Sequence, residues 1–175
     1  MSGPLGNPEA PALLSFGSNL GNREETLLRA FARIERADGL LLEAASSLYE
    51  TEPVGFPAGR LFLNAACAVR TALPPRDLLE LCLSIEREFG RTRGGPSLDR
   101  TLDIDLLAYG DLAIAEPDLA VPHPRLRERL FVLAPLAEIR PDFPLPPDGR
   151  TVREILREHP GGGWARRASS RGVAR

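Results

Sequence analysis

Asp103 and Asp105 stand two positions apart in the otherwise mostly apolar run 100–107, RTLDIDLL. On a β-strand alternate residues share a face, so both carboxylates would point one way while Leu102, Ile104 and Leu106 point into a core. Carboxylate oxygens on a rigid element suit Mg²⁺, which takes one or two protein carboxylates and completes its shell with water and substrate phosphates. The pair therefore predicts a magnesium site for phosphate chemistry.

A glycine-rich basic segment, residues 90–97 (GRTRGGPS), precedes this run and carries Arg91 and Arg93. With Arg100, these arginines could close over a nucleotide, exclude water and neutralise phosphate charge. The alternative interpretation is a solvated surface loop, since loops are ordinarily exposed.

His123 lies between two prolines in the segment 121–129, VPHPRLRER. The prolines present it rigidly, and the nearby arginines favour a neutral imidazole over an imidazolium. A capping or loop histidine is an equally good interpretation of this residue taken alone.

Asn64 and Phe62 are expected near the junction of two strands and the loop that follows Thr51. The side chain of an asparagine offers both a hydrogen-bond donor and an acceptor, which suits the edge of a heterocycle. Aromatic rings can stack on the faces of such a heterocycle. Taken alone, Phe62 is more often plain core, and Glu86 is more often a solvated helix residue.

Composition limits the class of protein. The chain has 175 residues and 43% hydrophobic residues, which suits one domain. A net charge of -2 and a pI near 5.8 argue against a protein whose main partner is nucleic acid or an anionic membrane. All 22 basic residues are arginine, so phosphate contacts would come from guanidinium groups, although genomic bias is the plainer interpretation of this composition.

Two cysteines, Cys67 and Cys82, stand in apolar stretches without metal-ligand spacing and are expected to be buried thiols. The sequence has no apolar run of membrane-spanning length and no signal-like start, so a cytoplasmic location is expected.

Alternating element types must position these side chains. The pattern predicts a strand over 12–16, a helix over 24–37, strands over 40–49 and 62–69, a helix that starts after Pro74-Pro75 and ends at Gly90, the aspartate strand, and a tight hairpin at 110–111 into 112–115. This order predicts an α+β, ferredoxin-like split βαβ fold, with an antiparallel sheet and both helices on one face.

A helix over 127–139 interrupted by Pro135 and a short helix over 151–158 are expected beyond it. Residues 11–159 would form the domain, and 1–10 and 160–175 would be flexible tails. Trp164 lies in the second tail and is not assigned to an active site.

Six segments, in order, resemble the 6-hydroxymethyl-7,8-dihydropterin pyrophosphokinase family. They are FGSNLGN (16–22), SLYETEPVG (47–55), FLNAA (62–66), IEREFGRTR (85–93), RTLDIDLL (100–107) and VPHPRLRERLFVLAPL (121–136). The resemblance covers about residues 13–156 and implies a ferredoxin-like fold. It also implies transfer of the pyrophosphoryl group of MgATP to the hydroxymethyl oxygen of the pterin, giving AMP, in folate biosynthesis.

The resemblance assigns residues to three groups. The metal ligands for two Mg²⁺ ions would be Asp103 and Asp105, which with Arg91, Arg93 and Arg100 form the catalytic set. The ATP side would be formed by Glu86, Arg91, Arg93, Arg100, Ile104, His123 and Arg129. The pterin pocket would be formed by Thr51, Val54, Gly55, Phe62, Asn64 and Phe131, with Phe131 stacking on the ring. ATP and the pterin would be the partners of a monomer that binds neither nucleic acid nor membrane.

The chain departs from the family pattern in two places. The segment 94–99, GGPSLD, is about one residue shorter than in other members, which would leave Leu98 as the lid over the pterin. Glu52 stands where the family commonly has proline.

Two other classes fit part of the pattern. A pair of aspartates can hold a nucleotide-sugar or nucleoside triphosphate for glycosyl or nucleotidyl transfer, in which case the product would not be AMP. Ferredoxin-like domains also bind RNA or metals without catalysis, but an RNA reader needs sheet-face aromatics, and this chain is only 6% aromatic.

Overall fold

The computed structural model describes residues 10–53, 59–91 and 99–168. The strands are β1 (Ala10–Ser18), β2 (Leu40–Ala45), β3 (Tyr49–Thr51), β4 (Phe62–Thr71), β5 (Asp103–Tyr109), β6 (Ile114–Glu116), β7 (Leu119–Val121), β8 (Pro144–Leu145), β9 (Arg150–Thr151) and β10 (Ala165–Arg167). The helices are α1 (Arg23–Glu35), α2 (Pro75–Glu88), α3 (Leu130–Ile139) and α4 (Val152–Glu158), with a 3₁₀ turn at Leu126–Glu128.

The main sheet runs in the order β10-β3-β4-β1-β5, and β2 also pairs with β4. Every pairing in it is antiparallel. Because β2 and β3 lie end to end along β4, they act as one broken strand. The sheet thus has the antiparallel order of a split βαβ unit, and the predicted ferredoxin-like α+β fold is confirmed.

Helices cover both faces of the sheet. On one face, α1 and α2 bury Phe31 and Ile85 against Phe16 of β1, as predicted. On the other face, α3 and α4 bury Leu133 against Leu13 of the same strand. A strand that is buried on both faces needs apolar residues at consecutive positions, which is why β1 has an unbroken buried run rather than alternation.

Local signals set the helix ends. The Asn22 side chain accepts a hydrogen bond from the Glu25 backbone N–H at 3.2 Å and so caps α1. Pro75 occupies the first turn of α2, where a missing N–H is tolerated, and Gly90 follows the helix with a φ of 77°.

The predicted strand over 40–49 is divided in the structure. Ser46 lies between β2 and β3 and is completely buried. Its hydroxyl accepts a hydrogen bond from the Ala66 N–H at 2.9 Å, while its own N–H donates to the Ala66 carbonyl at 2.9 Å. Since the side chain takes over part of the ladder bonding, the regular strand is interrupted there.

Two further element predictions need correction. Residues 112–115 do not form a hairpin with β5, because β6 pairs with β7 in a separate two-stranded sheet. Helix α3 begins at Leu130 and continues through Pro135. The proline removes one hydrogen bond to the preceding turn, but buried Leu133 and Leu136 hold the helix on the sheet.

The segment expected to be a tail contributes to the sheet. Within it, β10 pairs with β3, with Ala165 opposite Thr51. Strand β10 is short, and the glycine run before it carries no periodic pattern, which explains why the sequence did not indicate it. Among the described residues, none of the helices is long and apolar enough to cross a membrane.

Candidate active site

Asp103 and Asp105 lie on the face of β5 that turns toward α3. Their side chains are 19% and 29% exposed, whereas Ile104 between them is 2% exposed and packs in the core under α1 and α2. The predicted alternation is confirmed. The resemblance placed Ile104 on the ATP side. Its side chain packs in the core, on the face of β5 opposite to the two aspartates.

Two arginines neutralise Asp103. Arg91 and Arg100 each form an ion pair with one of its carboxylate oxygens. Arg91 also forms an ion pair with Glu86, whose side chain is only 2% exposed. The same Glu86 oxygen accepts the Ile104 backbone N–H at 2.8 Å, so Glu86 ties the end of α2 to the aspartate strand.

Asp105 faces a different pair of groups. Arg129 Nη1 lies 3.3 Å and His123 Nε2 lies 4.0 Å from Asp105 Oδ2. Burial raises the pKa of Asp105, and the charge of Asp103 raises it further, against the lowering effect of His123 and Arg129. The structure therefore brings together two close carboxylates whose mutual repulsion a cation would relieve.

The imidazole of His123 is favoured in its neutral form. Burial lowers the pKa of His123, and Arg129 and Arg125 lower it further, although Asp105 opposes them. The sequence predicted this direction from the arginines, but burial is the larger cause. The His123 backbone N–H donates to the Leu107 carbonyl at 2.7 Å, which fixes the segment against β5.

A cross-strand row connects this cluster to the predicted pterin pocket. Gly17 of β1 pairs with Asn64 of β4 on one side and with Asp103 of β5 on the other. A Cβ at Gly17 would lie 3.0 Å from the Asn64 side-chain oxygen and 4.0 Å from the Phe62 ring. Glycine at position 17 therefore leaves room for both side chains on this face of the sheet.

The buried Asn64 amide donates a hydrogen bond to the Thr51 hydroxyl at 2.7 Å. This bond leaves the Asn64 oxygen on the side of Gly17 and orients the amide. Phe131 lies at the start of α3, with the Arg129 guanidinium 5.5 Å from its ring centroid. Thr51 and Phe131 line one cavity of about 230 Å³, and Trp164 lies in the same cavity wall.

Sequence reasoning did not single out Asn19 as a site residue. Its side chain is buried, and its oxygen accepts the Arg100 backbone N–H at 2.7 Å. Only its place in the segment GSNLGN could have suggested a role, because its partner lies far away in sequence. Trp164, which the sequence analysis placed in a tail, lies in the wall of the cavity beside Phe131.

Three of the site residues that the resemblance implies, Val54, Gly55 and Arg93, lie outside the described residues, as does Leu98. The others fall into two neighbouring groups on one end of the sheet: the charged cluster around the aspartates, and the group formed by Thr51, Phe62, Asn64 and Phe131.

The aspartate pair fits a hard divalent cation that also binds phosphate. Among residues 10–53, 59–91 and 99–168, no three His, Cys, Asp or Glu side chains are grouped to hold a metal. Two carboxylates suffice for Mg²⁺ when substrate phosphates supply further oxygens. Asp103 and Asp105 would be the protein ligands of such an ion.

The sequence matches the model of the family described as 7,8-dihydro-6-hydroxymethylpterin-pyrophosphokinase over residues 13–141. It is 47% identical over 128 residues to a 2-amino-4-hydroxy-6-hydroxymethyldihydropteridine pyrophosphokinase of Bacillus subtilis, covering 73% of this chain and 77% of that protein. Identity to the protein of the same name in Methylorubrum extorquens is 44%, covering 83% of this chain and 90% of that one.

The structure is also similar to a crystal structure described as an HPPK-DHPS in complex with substrates. The TM-score is 0.68 at 14% identity, and the match covers 86% of this chain but 43% of the other. At this identity the similarity bears on the fold alone.

Proposed function

Because the chain belongs to the 7,8-dihydro-6-hydroxymethylpterin-pyrophosphokinase family, we propose that it transfers the pyrophosphoryl group of ATP to the hydroxymethyl oxygen of 6-hydroxymethyl-7,8-dihydropterin. The bond that forms joins this oxygen to the β-phosphorus, and the bond that breaks joins the β-phosphorus to the α,β-bridging oxygen. AMP leaves with the bridging oxygen, and the hydroxyl proton is released. The product is the pterin diphosphate of folate biosynthesis.

The observation that carries this proposal is the row Asn64–Gly17–Asp103. It supports two adjacent subsites on one sheet face, one with an oriented amide beside aromatic rings and one with carboxylates among arginines. The first suits a flat heterocycle with donors and acceptors on its edge. The second suits a polyphosphate. Phosphoryl transfers depend on positioning and charge neutralisation more than on covalent help, so no nucleophilic side chain is required.

Asp103 and Asp105 would hold the magnesium, two ions in our proposal, and the bound metal would neutralise charge on the phosphates. Arg91 and Arg100 are paired with Asp103 in the described structure. On nucleotide binding these guanidinium groups would exchange carboxylate oxygens for phosphate oxygens, and Arg93 would join them. Glu86 would limit how far Arg91 can move.

On the nucleotide side, neutral His123 would donate or accept a hydrogen bond without adding charge, and Arg129 would contribute a fixed positive charge beside Asp105. On the pterin side, Phe131 would stack on the ring, Asn64 would bind its edge, and Thr51, Val54, Gly55 and Phe62 would complete the wall. We also propose that the protein acts as a monomer in the cytoplasm.

The test is chromatographic detection of AMP and of the pterin diphosphate from purified protein with MgATP, with and without the pterin. We expect AMP only when the pterin is present. Asp103→Ala and Asp105→Ala should each lower turnover by several orders of magnitude while the circular dichroism spectrum stays unchanged. Asp111→Ala, which removes an exposed carboxylate just after β5, is the matched control and should retain full activity.

Release of a nucleoside diphosphate or pyrophosphate instead of AMP would support one of the rival transferases. Full activity in both aspartate variants would show that the metal assignment is wrong.

A further inference from the structure

The cavity beside Phe131 has three walls from distant parts of the chain. Thr51 and Glu52 come from the end of β3 and the residue after it, residues 127–131 from the 3₁₀ turn and the start of α3, and residues 159–164 from the segment before β10. Its volume of about 230 Å³ lies just below the range of roughly 300–1,000 Å³ typical of pockets for drug-sized ligands. That size suits one small heterocycle.

The segment that closes the third wall is fixed at its far end. Strand β10 pairs with β3, and the Ala168 N–H donates to the Leu48 carbonyl at 2.8 Å. Glu138 of α3 accepts hydrogen bonds from the Tyr49 hydroxyl at 2.8 Å and from Arg167. Backbone pairing and side-chain bonds thus hold β10 on both β3 and α3.

The near end of the segment is fixed as well. His159 Nε2 lies 3.0 Å from the Glu128 carbonyl oxygen, beside the start of α3. The backbone of Gly163 lies so close to Glu52 that a Cβ would be 3.0 Å from its carboxylate oxygen. Gly163 also has a φ of 78°, which disfavours other residues. The backbone at Gly163 therefore packs tightly against the Glu52 side chain.

Trp164 stands between these two fixed ends and is 36% exposed. The Arg166 guanidinium lies 5.2 Å from its ring centroid, which restricts the indole. An aromatic face in a cavity wall that also contains Phe131 is suited to bind a flat heteroaromatic ring.

We propose that residues 159–164 form a wall of the pterin subsite in this protein, and that Trp164 is a specificity-determining residue that contacts the bound pterin. This inference rests on the proposed function. It predicts that the loss of Trp164 weakens pterin binding without changing the ATP side of the site.

The first test uses Trp164 as its own reporter, because the chain has a single tryptophan. The bimolecular acrylamide quenching constant is taken from fluorescence lifetimes, so that energy transfer to the pterin does not enter the result. The ligands are 6-hydroxymethyl-7,8-dihydropterin and magnesium α,β-methylene ATP, whose bridging carbon resists cleavage. We expect the constant to fall at least about threefold with pterin bound and to stay unchanged with nucleotide alone.

The second test is kinetic. Trp164→Ala should raise the Michaelis constant for the pterin about tenfold, with that for ATP within about twofold of wild type. Trp164→Phe keeps an aromatic face and should recover most of the difference. Leu112→Ala truncates a similarly exposed apolar side chain after β5 and should change neither constant.

Three outcomes would overturn the inference. If wild-type protein forms AMP in a pterin-dependent way but neither the quenching constant nor the pterin Michaelis constant responds, the wall assignment is wrong and the proposed function stands. Equal rises in both Michaelis constants would give Trp164 a structural role only. If wild-type protein neither binds pterin in equilibrium dialysis nor forms AMP, the proposed function fails and this inference with it.

Discussion

Asn19 forms hydrogen bonds with both the carbonyl and the N–H of the Arg100 backbone. The Asn19 N–H donates to the Arg100 carbonyl at 3.1 Å, and the Asn19 side-chain oxygen accepts the Arg100 N–H at 2.7 Å. The Asn19 amide also donates to the Asp99 carboxylate at 2.9 Å. Residue 19 follows β1 directly, so this inner strand of the sheet fixes the backbone position of the arginine that pairs with Asp103.

Asn19→Ala should lower kcat by about ten- to a hundredfold, because Arg100 loses its fixed position beside Asp103. It should also cost about 1–3 kcal/mol of unfolding free energy, since buried hydrogen bonds are lost. Steady-state kinetics and urea unfolding check the two effects. Asn22→Ala, which removes the α1 cap, should cost about 1 kcal/mol and leave kcat unchanged. Equal kcat values in the two variants would rule out a positioning role for Asn19.

Glu86→Gln should raise the Michaelis constant for ATP about tenfold. The glutamine can still accept the Ile104 N–H, but it loses the charge that orients Arg91. The measurement is a comparison of the Michaelis constants for ATP and pterin, of which only the first should change.

Glu88→Gln is the control for Glu86, because Glu88 lies on the same helix and pairs with Arg33 at 2.9 Å, with its side chain 46% exposed. Exposed ion pairs contribute little to the free energy of unfolding, so we expect Glu88→Gln to change stability by less than about 1 kcal/mol and to leave the kinetics unchanged. Identical kinetics for both variants would contradict the link from Glu86 to the nucleotide.

Glu138→Gln should destabilise the protein at neutral pH, and the loss should diminish in acid. Burial alone would raise the pKa of Glu138, but hydrogen bonds from Tyr49, Ser47 and Arg167 outweigh it and lower the pKa. A carboxyl whose pKa is lowered in the folded state stabilises it fully above the unfolded value of about 4.3, and the effect is lost as pH falls through the folded pKa.

Urea unfolding of Glu138→Gln and wild type at about pH 7 and about pH 3.5 measures this difference. Glu35→Gln alters an exposed carboxylate at the end of α1 and is the control. A stability difference between Glu138→Gln and wild type that is constant over this range would show that the Glu138 charge does not hold β10 and β3 to α3.

Neither cysteine should react with a disulfide reagent in the native state at about pH 8, because only thiolates attack. Burial raises the pKa of Cys67 and raises that of Cys82 to about 12. Both thiols should titrate once the protein is unfolded in guanidinium chloride. Rapid labelling of the folded protein would mean that the layer between α2 and the sheet opens.

Local patterns predicted those parts of the fold that depend on local physics. The alternation at Asp103 and Asp105 and the element order that places α1 and α2 on one face of the sheet could both be predicted from the sequence. Features that depend on distant partners could not. Ser46 breaks a strand by bonding across to Ala66, and β6 pairs with β7 rather than with β5.

The same limit applies to the site. The charged residues could be assigned from spacing and resemblance. The hydrogen bonds between Asn19 and the Arg100 backbone could not, because they depend on β1 ending beside Arg100. The glycine run before Trp164 has the composition of a tail, and only the structure shows that it lines a cavity and leads into β10, which pairs with β3.

The row Asn64–Gly17–Asp103 also fixes a distance across the sheet. Neighbouring strands in a sheet lie about 4.8 Å apart, so two strand spacings, roughly 10 Å, separate the backbone that carries the amide from the backbone that carries the carboxylate. Hydrogen-bond spacing between strands, rather than any flexible side chain, therefore sets the distance between the two proposed subsites. A slip of β5 by one residue would turn both aspartates to the opposite face of the sheet, and the fixed separation between them and Asn64 would be lost.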